Sequence, residues 1–246
     1  MRRFAIAPER IADGRVTFDA LETRHLARVL RLGPGDTVVA TDGAGHDYTV
    51  RLDAVRPRAS GVVVGVAEAA GESPLAITLV QGVPKGDKLE TIVRAATELG
   101  VARIVPALTA RTVVRLAERQ ATARHARWQR VAREAAKQCG RPVVPDVAPP
   151  RTLDGCLDEA ALADVALCLW ETEAQPVDAA LVDAGSPRRV ALLVGPEGGL
   201  ERREVDAARE RGWRVVGLGA RILRTETAGP ALIAILQARW GDLGTV

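Results

Sequence analysis

The chain of 246 residues lacks several features that mark common protein classes. No apolar run is long enough to span a bilayer, and the N-terminal stretch MRRFAIAPERIADGR has no apolar segment behind its arginines, so no secretory signal is expected. Three scattered cysteines without a C-x-x-C pair predict reduced thiols in a cytoplasmic protein. Three histidines without ligand spacing predict no metal site. The absence of Gly-Lys-Ser/Thr excludes a P-loop.

Lysine is also scarce. Only Lys85, Lys88 and Lys137 accompany the arginines among the 34 basic residues, and the net charge is +3. The planar guanidinium matches phosphate oxygens well, so this composition is compatible with phosphate recognition. A codon bias towards arginine and alanine is the favoured explanation, because bulk charge says little about any specific site.

The first part of the chain consists of short β-type runs separated by Gly, Asp and Pro turns: GRVTFD, DTVVATDG, HDYTVRLDAV and GVVVGVAEA. The stretch TDGAGHDY predicts a hairpin turn. Between the first two runs lies one short helix with Leu21, Leu26, Val29 and Leu30 as its apolar positions. The pattern predicts a small β-barrel with a helical insertion over residues 1–72.

From residue 73 onward, strands alternate with helices. Strands are predicted in LAITLVQG, VARIVPA, VALCLWE, RVALLVG and WRVVGLG, and helices in GDKLETIVRAATELG, RWQRVAREAAKQCG, ERREVDAARERG and GPALIAILQARW. Asp87 followed by Glu90 resembles a capping box. The alternation predicts an α/β domain over residues 73–246, in which a parallel sheet carries helices on both faces.

The last three strands each lead into an unusual segment: TEAQP, GPEGGL and GARILRTETA. Because ligands of open α/β sheets bind beyond the carboxyl ends of the strands, these segments predict one composite pocket. Glycines there allow close approach of the backbone to a ligand. A tight turn is the alternative for GPEGG. A dinucleotide site is a weaker rival, because neither GPEGGL nor GLGARI has the G-x-G-x-x-G spacing.

The final helix follows a polar stretch. Thr225 and Thr227 are expected to cap it through their hydroxyls, and Pro230 is expected in its first turn. Capping does not account for Arg224 and Glu226. A charged pair at this point fits a ligand that carries both charges, such as one with a cationic centre and an amino-acid end.

These segments closely resemble the RsmE family of 16S ribosomal RNA uridine-N3 methyltransferases, within the SPOUT class. The matching pieces are LLVGPEGGL, LGARILRTETA, AILQARWGDL, RHLARVLRLGPGD, VPKGDKLETIVRAATELGV and EAAKQCGRPVVP, which extend over nearly the whole chain. One departure is Lys137, where the family pattern has a glutamate. The resemblance implies a PUA-like RNA-binding β-barrel over 1–72 and a trefoil-knotted SPOUT methyltransferase domain over 73–246.

The same resemblance implies S-adenosylmethionine as cofactor, 16S ribosomal RNA within the small ribosomal subunit as partner, and a homodimer. Arg224 and Glu226 are the expected catalytic residues. An arginine near the uracil oxygens stabilises the anion formed when uridine N3 loses its proton, and Arg224 is expected in that role. For Glu226 two roles stay open, as the proton acceptor or as the electrostatic partner of the sulfonium. The implied cofactor-binding residues are Leu169, Trp170, Glu171, Val194, Gly195, Pro196, Glu197, Gly198, Gly199, Leu218, Gly219, Leu223, Thr225, Thr227 and Ala228. The implied RNA-binding residues are Arg2, Arg3, His25, Arg28, Arg31, Lys85, Lys88 and Arg141.

Two other functions stay open at this point. One is a non-catalytic RNA-binding or ribosome-assembly module on the same fold. The other is a nucleotide-binding enzyme that uses GPEGG for phosphate. Catalysis predicts binding of S-adenosylmethionine and S-adenosylhomocysteine, the phosphate interpretation predicts binding of ATP, and a pure RNA-binding module predicts binding of none of the three.

Overall fold

The structure is a computed structural model that describes residues 3–112, 118–160 and 162–244. The chain divides into two compact units. The first comprises residues 1–72 and 136–144, and the second comprises residues 73–135 and 145–246. The division predicted from the sequence, 1–72 and 73–246, has the same first boundary, but it assigns residues 136–144 to the second domain rather than to the first unit.

Six short strands form the sheet of the first unit: β1 (Arg3–Ala5), β2 (Ile11–Ala12), β3 (Arg15–Thr17), β4 (Thr37–Thr41), β5 (His46–Ala54) and β6 (Ser60–Glu68). Their order is β1-β4-β5-β6-β3-β2, with β1 parallel to β4 and the other neighbours antiparallel. The pairing of β4 with β5 confirms the predicted hairpin. Each predicted β-type run contains a strand.

The predicted helical insertion is α1 (Ala20–Arg24), which continues into a π-helical turn over His25–Val29. The Asp19 side chain caps α1 by accepting a hydrogen bond from the Glu22 backbone N–H. Leu26 lies in the core of the unit. Leu21 and Val29, which were expected on the same buried face, are exposed. The wide π turn accounts for this difference, because it breaks the 3.6-residue period.

Lys137 has a partner inside the first unit. It forms an ion pair with Glu22, whose side chain is only 2% exposed. A buried carboxylate needs a paired cation, and a glutamate in place of Lys137 would repel Glu22. In this chain Lys137 therefore neutralises the buried Glu22 carboxylate.

Eight strands form the sheet of the second unit: β7 (Ala76–Gly82), β8 (Arg103–Leu108), β9 (Asp146–Val147), β10 (Arg151–Thr152), β11 (Val165–Leu169), β12 (Gln175–Pro176), β13 (Arg189–Val194) and β14 (Arg214–Gly217). Their order is β10-β8-β7-β13-β11-β14-β12, and β9 also pairs with β8. Every pairing is parallel, as predicted. The carboxyl ends of β11, β13 and β14 therefore lie side by side.

The helices that follow these strands are α2 (Lys88–Glu98), α3 (Glu118–Cys139), α4 (Leu153–Ala160), α5 (Val177–Ala180), α6 (Arg202–Glu210) and α7 (Thr225–Trp240). Helices α2 and α7 contact each other, and α7 contacts β7 and β13. Helices α4 and α6 contact each other, α4 contacts β8, and α6 contacts β14. They pack over a core that includes Leu157, Leu193 and Val205. Helices thus cover both faces of the sheet. Within the described ranges, no helix is long and apolar enough to cross a bilayer.

Two expectations about helix starts are wrong. The Asp87 side chain makes no capping hydrogen bond at the start of α2, and Glu90 forms an ion pair with Arg127 instead. Helix α7 begins at Thr225, four residues earlier than the sequence pattern indicates, so Pro230 lies in the helix interior rather than in the first turn. The N-cap of α7 is Arg224, and no side chain caps it. The trefoil knot that the resemblance implies stays a prediction.

Candidate active site

The second unit contains a cleft of about 1070 Å³ at the carboxyl ends of β11, β13 and β14. Its walls are the segments that follow these strands, residues 169–171 with 174–178, residues 194–200 and residues 217–226. Lys88 and the α7 residues Ala228, Ala231 and Ile235 complete the lining. The three unusual strand ends therefore meet in one pocket, which is where parallel sheets bind their ligands.

Most of the residues implied to bind the cofactor lie on this cleft. Arg224 and Glu226 line it, and so does every implied cofactor residue except Thr227. Thr227 is exposed in the first turn of α7, and its N–H donates to the Arg224 carbonyl. The structure thus brings the three implied loops together and leaves Thr227 outside the cleft lining.

A first set of hydrogen bonds fixes the loop of residues 195–199 at Gly195. The Gly195 carbonyl accepts hydrogen bonds from the Thr225 hydroxyl at 2.7 Å and from Gln81 Nε2 at 3.3 Å. Gln81 Nε2 also donates to the Thr225 hydroxyl oxygen at 2.9 Å. Thr225 therefore does not cap α7 as the sequence predicted. Its hydroxyl joins the first turn of α7 to the loop.

A second set of contacts holds the same loop at Glu197. Its carboxylate accepts hydrogen bonds from the Lys85 backbone N–H at 3.1 and 3.2 Å and from Lys88 Nζ at 2.9 Å. Burial alone raises the pKa of Glu197, but the hydrogen bonds from Lys88 and the backbone outweigh it, so the pKa lies below its ordinary value of 4.5. Glu197 is therefore ionised at neutral pH, and Lys88 is committed to it.

A third contact comes from Arg111, whose Nη1 donates to the Gly198 carbonyl at 2.6 Å. The loop also closes on itself. A Cβ on Gly195 would lie 2.9 Å from the carbonyl carbon of Gly199 and 3.0 Å from the backbone nitrogen of Leu200. Both atoms belong to the backbone and cannot move aside easily, so this turn requires glycine at position 195.

Arg224 and Glu226 differ in their surroundings. The Arg224 side chain is 84% exposed, and its Nη1 lies 3.8 Å from Glu226 Oε1. Glu226 is 21% exposed, and its Oε2 is buried without a hydrogen-bond partner among the described residues. A buried carboxylate oxygen without a donor is costly. The arrangement favours a ligand that brings a positive charge to Glu226.

Two residues of this site were not singled out by the sequence. Gln81 is fully buried at the end of β7, and Arg111 follows β8. The sequence does contain a signal for Gln81, which is a long polar side chain at the end of the strand run ITLVQ. Buried polar side chains make specific hydrogen bonds. Arg111 carries no such signal, since it is one exposed arginine among many in an arginine-rich chain.

The residues implied to bind RNA in the first unit have unequal surroundings. Arg28 and Arg31 are exposed. His25 is about half exposed, and its Nδ1 lies 3.9 Å from Glu22. Arg3 is 2.7 Å from Asp47 in an ion pair. Arg2 lies outside the described residues.

Arg141 is the exception in that set. Its side chain is 9% exposed and forms a bidentate ion pair with Glu72, with distances of 3.1 Å from Nε and 2.6 Å from Nη2. This pair ties residues 136–144 to the rest of the first unit. Of the two lysines in the second unit, Lys85 is exposed, whereas Lys88 is paired with Glu197. We therefore leave Arg141 out of the proposed RNA-binding set.

Comparison with known proteins places the chain in a family. A model of the RNA methyltransferase domain matches residues 71–237, and a model of the RNA methyltransferase PUA domain matches residues 19–58. The ribosomal RNA small subunit methyltransferase E of Synechocystis is 34% identical over 96% of this chain and 77% of its own length. That of Bacillus subtilis is 33% identical over 84% of this chain and 83% of its own length. The chain belongs to the RsmE family.

Membership of the RsmE family confirms the resemblance found in the sequence, including the PUA-like character of the first unit. A crystal structure of the family member from Neisseria gonorrhoeae, bound to S-adenosyl methionine, is also similar. It is 36% identical, has a TM-score of 0.83, and the match covers 98% of this chain and 99% of that one. The RsmE fold thus extends over both units.

Proposed function

We propose that this member of the RsmE family is an S-adenosylmethionine-dependent methyltransferase that methylates N3 of one uridine in 16S ribosomal RNA of the small ribosomal subunit. The observation that carries the proposal is the cleft at the ends of β11, β13 and β14, with a buried Glu226 oxygen in its wall that has no hydrogen-bond partner among the described residues. The relatives named for small-subunit ribosomal RNA and the relative bound to S-adenosyl methionine support it.

The lining residues fit such a ligand. S-adenosylmethionine carries a sulfonium and an amino group, and both are positive charges that a carboxylate stabilises. We assign Glu226 to this cationic end. Backbone groups of Gly195, Leu218 and Leu223 are assigned to the adenine, because all three residues lie on the cleft and a base can be recognised through main-chain donors and acceptors.

When bound, S-adenosylmethionine supplies an electrophilic methyl group. The chain aligns the acceptor base and shapes the electric field around it. Uridine N3 must lose its proton before it attacks, which places negative charge on the uracil oxygens. Arg224 lies at the cleft with an exposed guanidinium, so we assign it to that charge. In ribosomal RNA the uridine must leave its stack to reach Arg224.

For the RNA itself we propose His25, Arg28 and Arg31 in the first unit and Lys85 in the second, because their side chains are exposed. Phosphate contacts release counterions, so RNA affinity is expected to fall steeply with salt. We also propose that the chain is a homodimer, as the resemblance to the RsmE family implies. Light scattering should then give a mass about twice 26.1 kDa.

Calorimetry with three ligands tests the proposal. S-adenosylmethionine and S-adenosylhomocysteine should both bind, and ATP should not. Binding of ATP alone would identify a phosphate site, and binding of none of the three would identify a non-catalytic RNA-binding module.

Primer extension on 16S ribosomal RNA tests the reaction. N3-methyluridine cannot pair normally, so it stops reverse transcriptase, and a stop that disappears when the gene is deleted and returns with the wild-type gene marks the target. Deletion without loss of any stop in this RNA would contradict the proposed substrate.

A further inference from the structure

The Gln81 side chain contacts both the loop of residues 195–199 and the first turn of α7. We propose that Gln81 is a positioning residue of the methyltransferase site: its carboxamide fixes the Gly195 carbonyl and the Thr225 hydroxyl, and through Thr225 it orients Arg224 and Glu226. The inference rests on the proposed function, since it concerns how the same cleft is kept ready for its ligand.

The geometry determines which way the carboxamide of Gln81 faces. Its nitrogen lies 3.1 Å from the carbonyl oxygen of Gly82, 3.5 Å from that of Val194 and 3.3 Å from that of Gly195. Carbonyl oxygens only accept hydrogen bonds, so the NH2 group must face them. The Thr225 hydroxyl gives its one proton to Gly195 and therefore accepts from Gln81. The NH2 group has two protons for these four oxygens and therefore shares them, and its shortest contacts are to the Thr225 hydroxyl at 2.9 Å and the Gly82 carbonyl at 3.1 Å.

This carboxamide is not needed for strand pairing. Gln81 lies opposite Val194 in the parallel register of β7 and β13, and the backbone hydrogen bonds of that register already join the two strands. The side chain is completely buried, and its Oε1 has no hydrogen-bond partner among the described residues. An apolar residue would avoid that cost at a purely structural position. The contacts made by Nε2 are therefore the reason for glutamine here.

The contacts of Thr225 carry the effect to the candidate catalytic pair. Thr225 is buried as the first residue of α7, and Arg224 and Glu226 are its direct neighbours. The hydroxyl fixes this turn against the Gly195 carbonyl at 2.7 Å. Without the amide of Gln81, the carbonyl and the hydroxyl each lose a partner, and the hydrogen bond between Thr225 and Gly195 is left without the buried donor that orients it.

The test uses the full chain and four single variants. Gln81→Met keeps the length but removes the amide, and Thr225→Val keeps the shape but removes the hydroxyl. Each should raise the Kd for S-adenosylmethionine about tenfold, because a buried acceptor loses its donor. Thr225→Ser keeps the hydroxyl and should raise the Kd much less than Thr225→Val. Thr97→Val is the matched control, because Thr97 is buried and its hydroxyl donates to the Val93 carbonyl at 2.7 Å inside α2, outside the cleft lining.

A double variant separates positioning from stability. If Gln81 and Thr225 act through the same carbonyl, Gln81→Met with Thr225→Val should raise the Kd little more than either change alone. Thr97→Val should lower the melting temperature and leave the Kd unchanged. Single-turnover methylation should slow for both cleft variants even at saturating S-adenosylmethionine, because Arg224 and Glu226 are misplaced.

Three results would overturn the inference. These are a folded Gln81→Met variant with wild-type Kd and turnover, strict additivity in the double variant, or an equal loss of affinity in Thr97→Val. If Gln81→Met does not fold, the comparison of Thr225→Val with Thr225→Ser tests whether hydrogen bonding to the Gly195 carbonyl determines the Kd. A wild-type chain that binds no S-adenosylmethionine would instead refute the proposed function, and the inference with it.

Discussion

Two loops line the same cleft, but they are held in different ways. The loop of residues 195–199 is fixed at the Gly195 carbonyl, the Glu197 carboxylate and the Gly198 carbonyl by residues from three other segments. The loop of residues 218–224 has few such contacts. Arg221, Ile222 and Arg224 are exposed, and within the described part of the chain the side chains of residues 218–223 form no ion pair.

The difference matches two kinds of ligand. A small molecule recognised through main-chain groups gains affinity when those groups are fixed in advance, because binding then orders less of the protein. A large and charged partner such as RNA is contacted by long exposed side chains that become ordered on binding. The held loop, residues 195–199, contributes Gly195 to the adenine. The open loop, residues 218–224, contributes the main chain of Leu218 and Leu223 to the adenine and the exposed Arg224 side chain to the uridine.

The largest effect is expected from a side chain in the held loop. Gly195→Ala places a Cβ against the backbone of Gly199 and Leu200, so the loop must open and binding of S-adenosylmethionine should be lost. Calorimetry measures this, and circular dichroism checks the fold.

Gly219→Ala is the matched change in the open loop. A Cβ there meets nothing within 4 Å, although the φ of +85° strains it. Left-handed backbone costs roughly 1–2 kcal/mol per residue, so binding should weaken by no more than about thirtyfold. Equal losses in the two alanine variants would mean that the loops are not held differently.

Arg224→Ala should have the next largest effect, and on turnover rather than on stability. Loss of one oxyanion-type donor costs roughly 2.7–4 kcal/mol, which is a rate loss of about a hundredfold or more. The melting temperature should hardly change, because the side chain is exposed. Single-turnover methylation of small subunits measures the rate. Arg221→Ala in the same loop should lose much less, and a large drop in stability for Arg224→Ala would identify a structural role instead.

Glu226→Gln should weaken the binding of S-adenosylmethionine by about tenfold, since it removes a charge that we place beside the cationic end of the ligand. S-adenosylhomocysteine lacks the sulfonium and serves as the control. If the sulfonium is the partner, Glu226→Gln should affect S-adenosylhomocysteine less. Equal losses for both ligands would assign Glu226 to their shared amino group.

Strand ends and glycine clusters were enough to predict the parallel sheet and the meeting of three segments in one cleft, because both follow from the chain's own alternation of strands and helices. The start of α7 was not predictable, since Thr225 does not cap the helix but donates to a carbonyl that lies 30 residues earlier in the chain. Residues 136–144 were assigned to the α/β domain because a sequence pattern does not show contacts between residues that are far apart in the chain. Their contacts to Glu22 and Glu72 depend on pairs that are distant in sequence.

The smallest effect is expected from the salt bridge of the held loop. Glu197→Gln keeps an acceptor for the Lys85 N–H and removes the charge that Lys88 contacts. Exposed ion pairs contribute about 0.2–1 kcal/mol, so the Kd for S-adenosylmethionine should rise by less than about fivefold at neutral pH. Gly195 and Gly198 keep their own contacts, which is why the loop should stay in place.

The contribution of the Glu197 ion pair to affinity depends on pH. Because the pKa of Glu197 in the folded chain is below its ordinary value of 4.5, its stabilising effect is fully present above that value and is lost as the pH falls through the folded pKa. Affinity of the wild type and of Glu197→Gln should therefore differ by a constant factor from pH 6 to pH 8 and converge in acid. A Glu197→Gln variant that loses binding as completely as Gly195→Ala would show that the loop depends on this one contact, and the contrast between a loop held at three points and an open one would not stand.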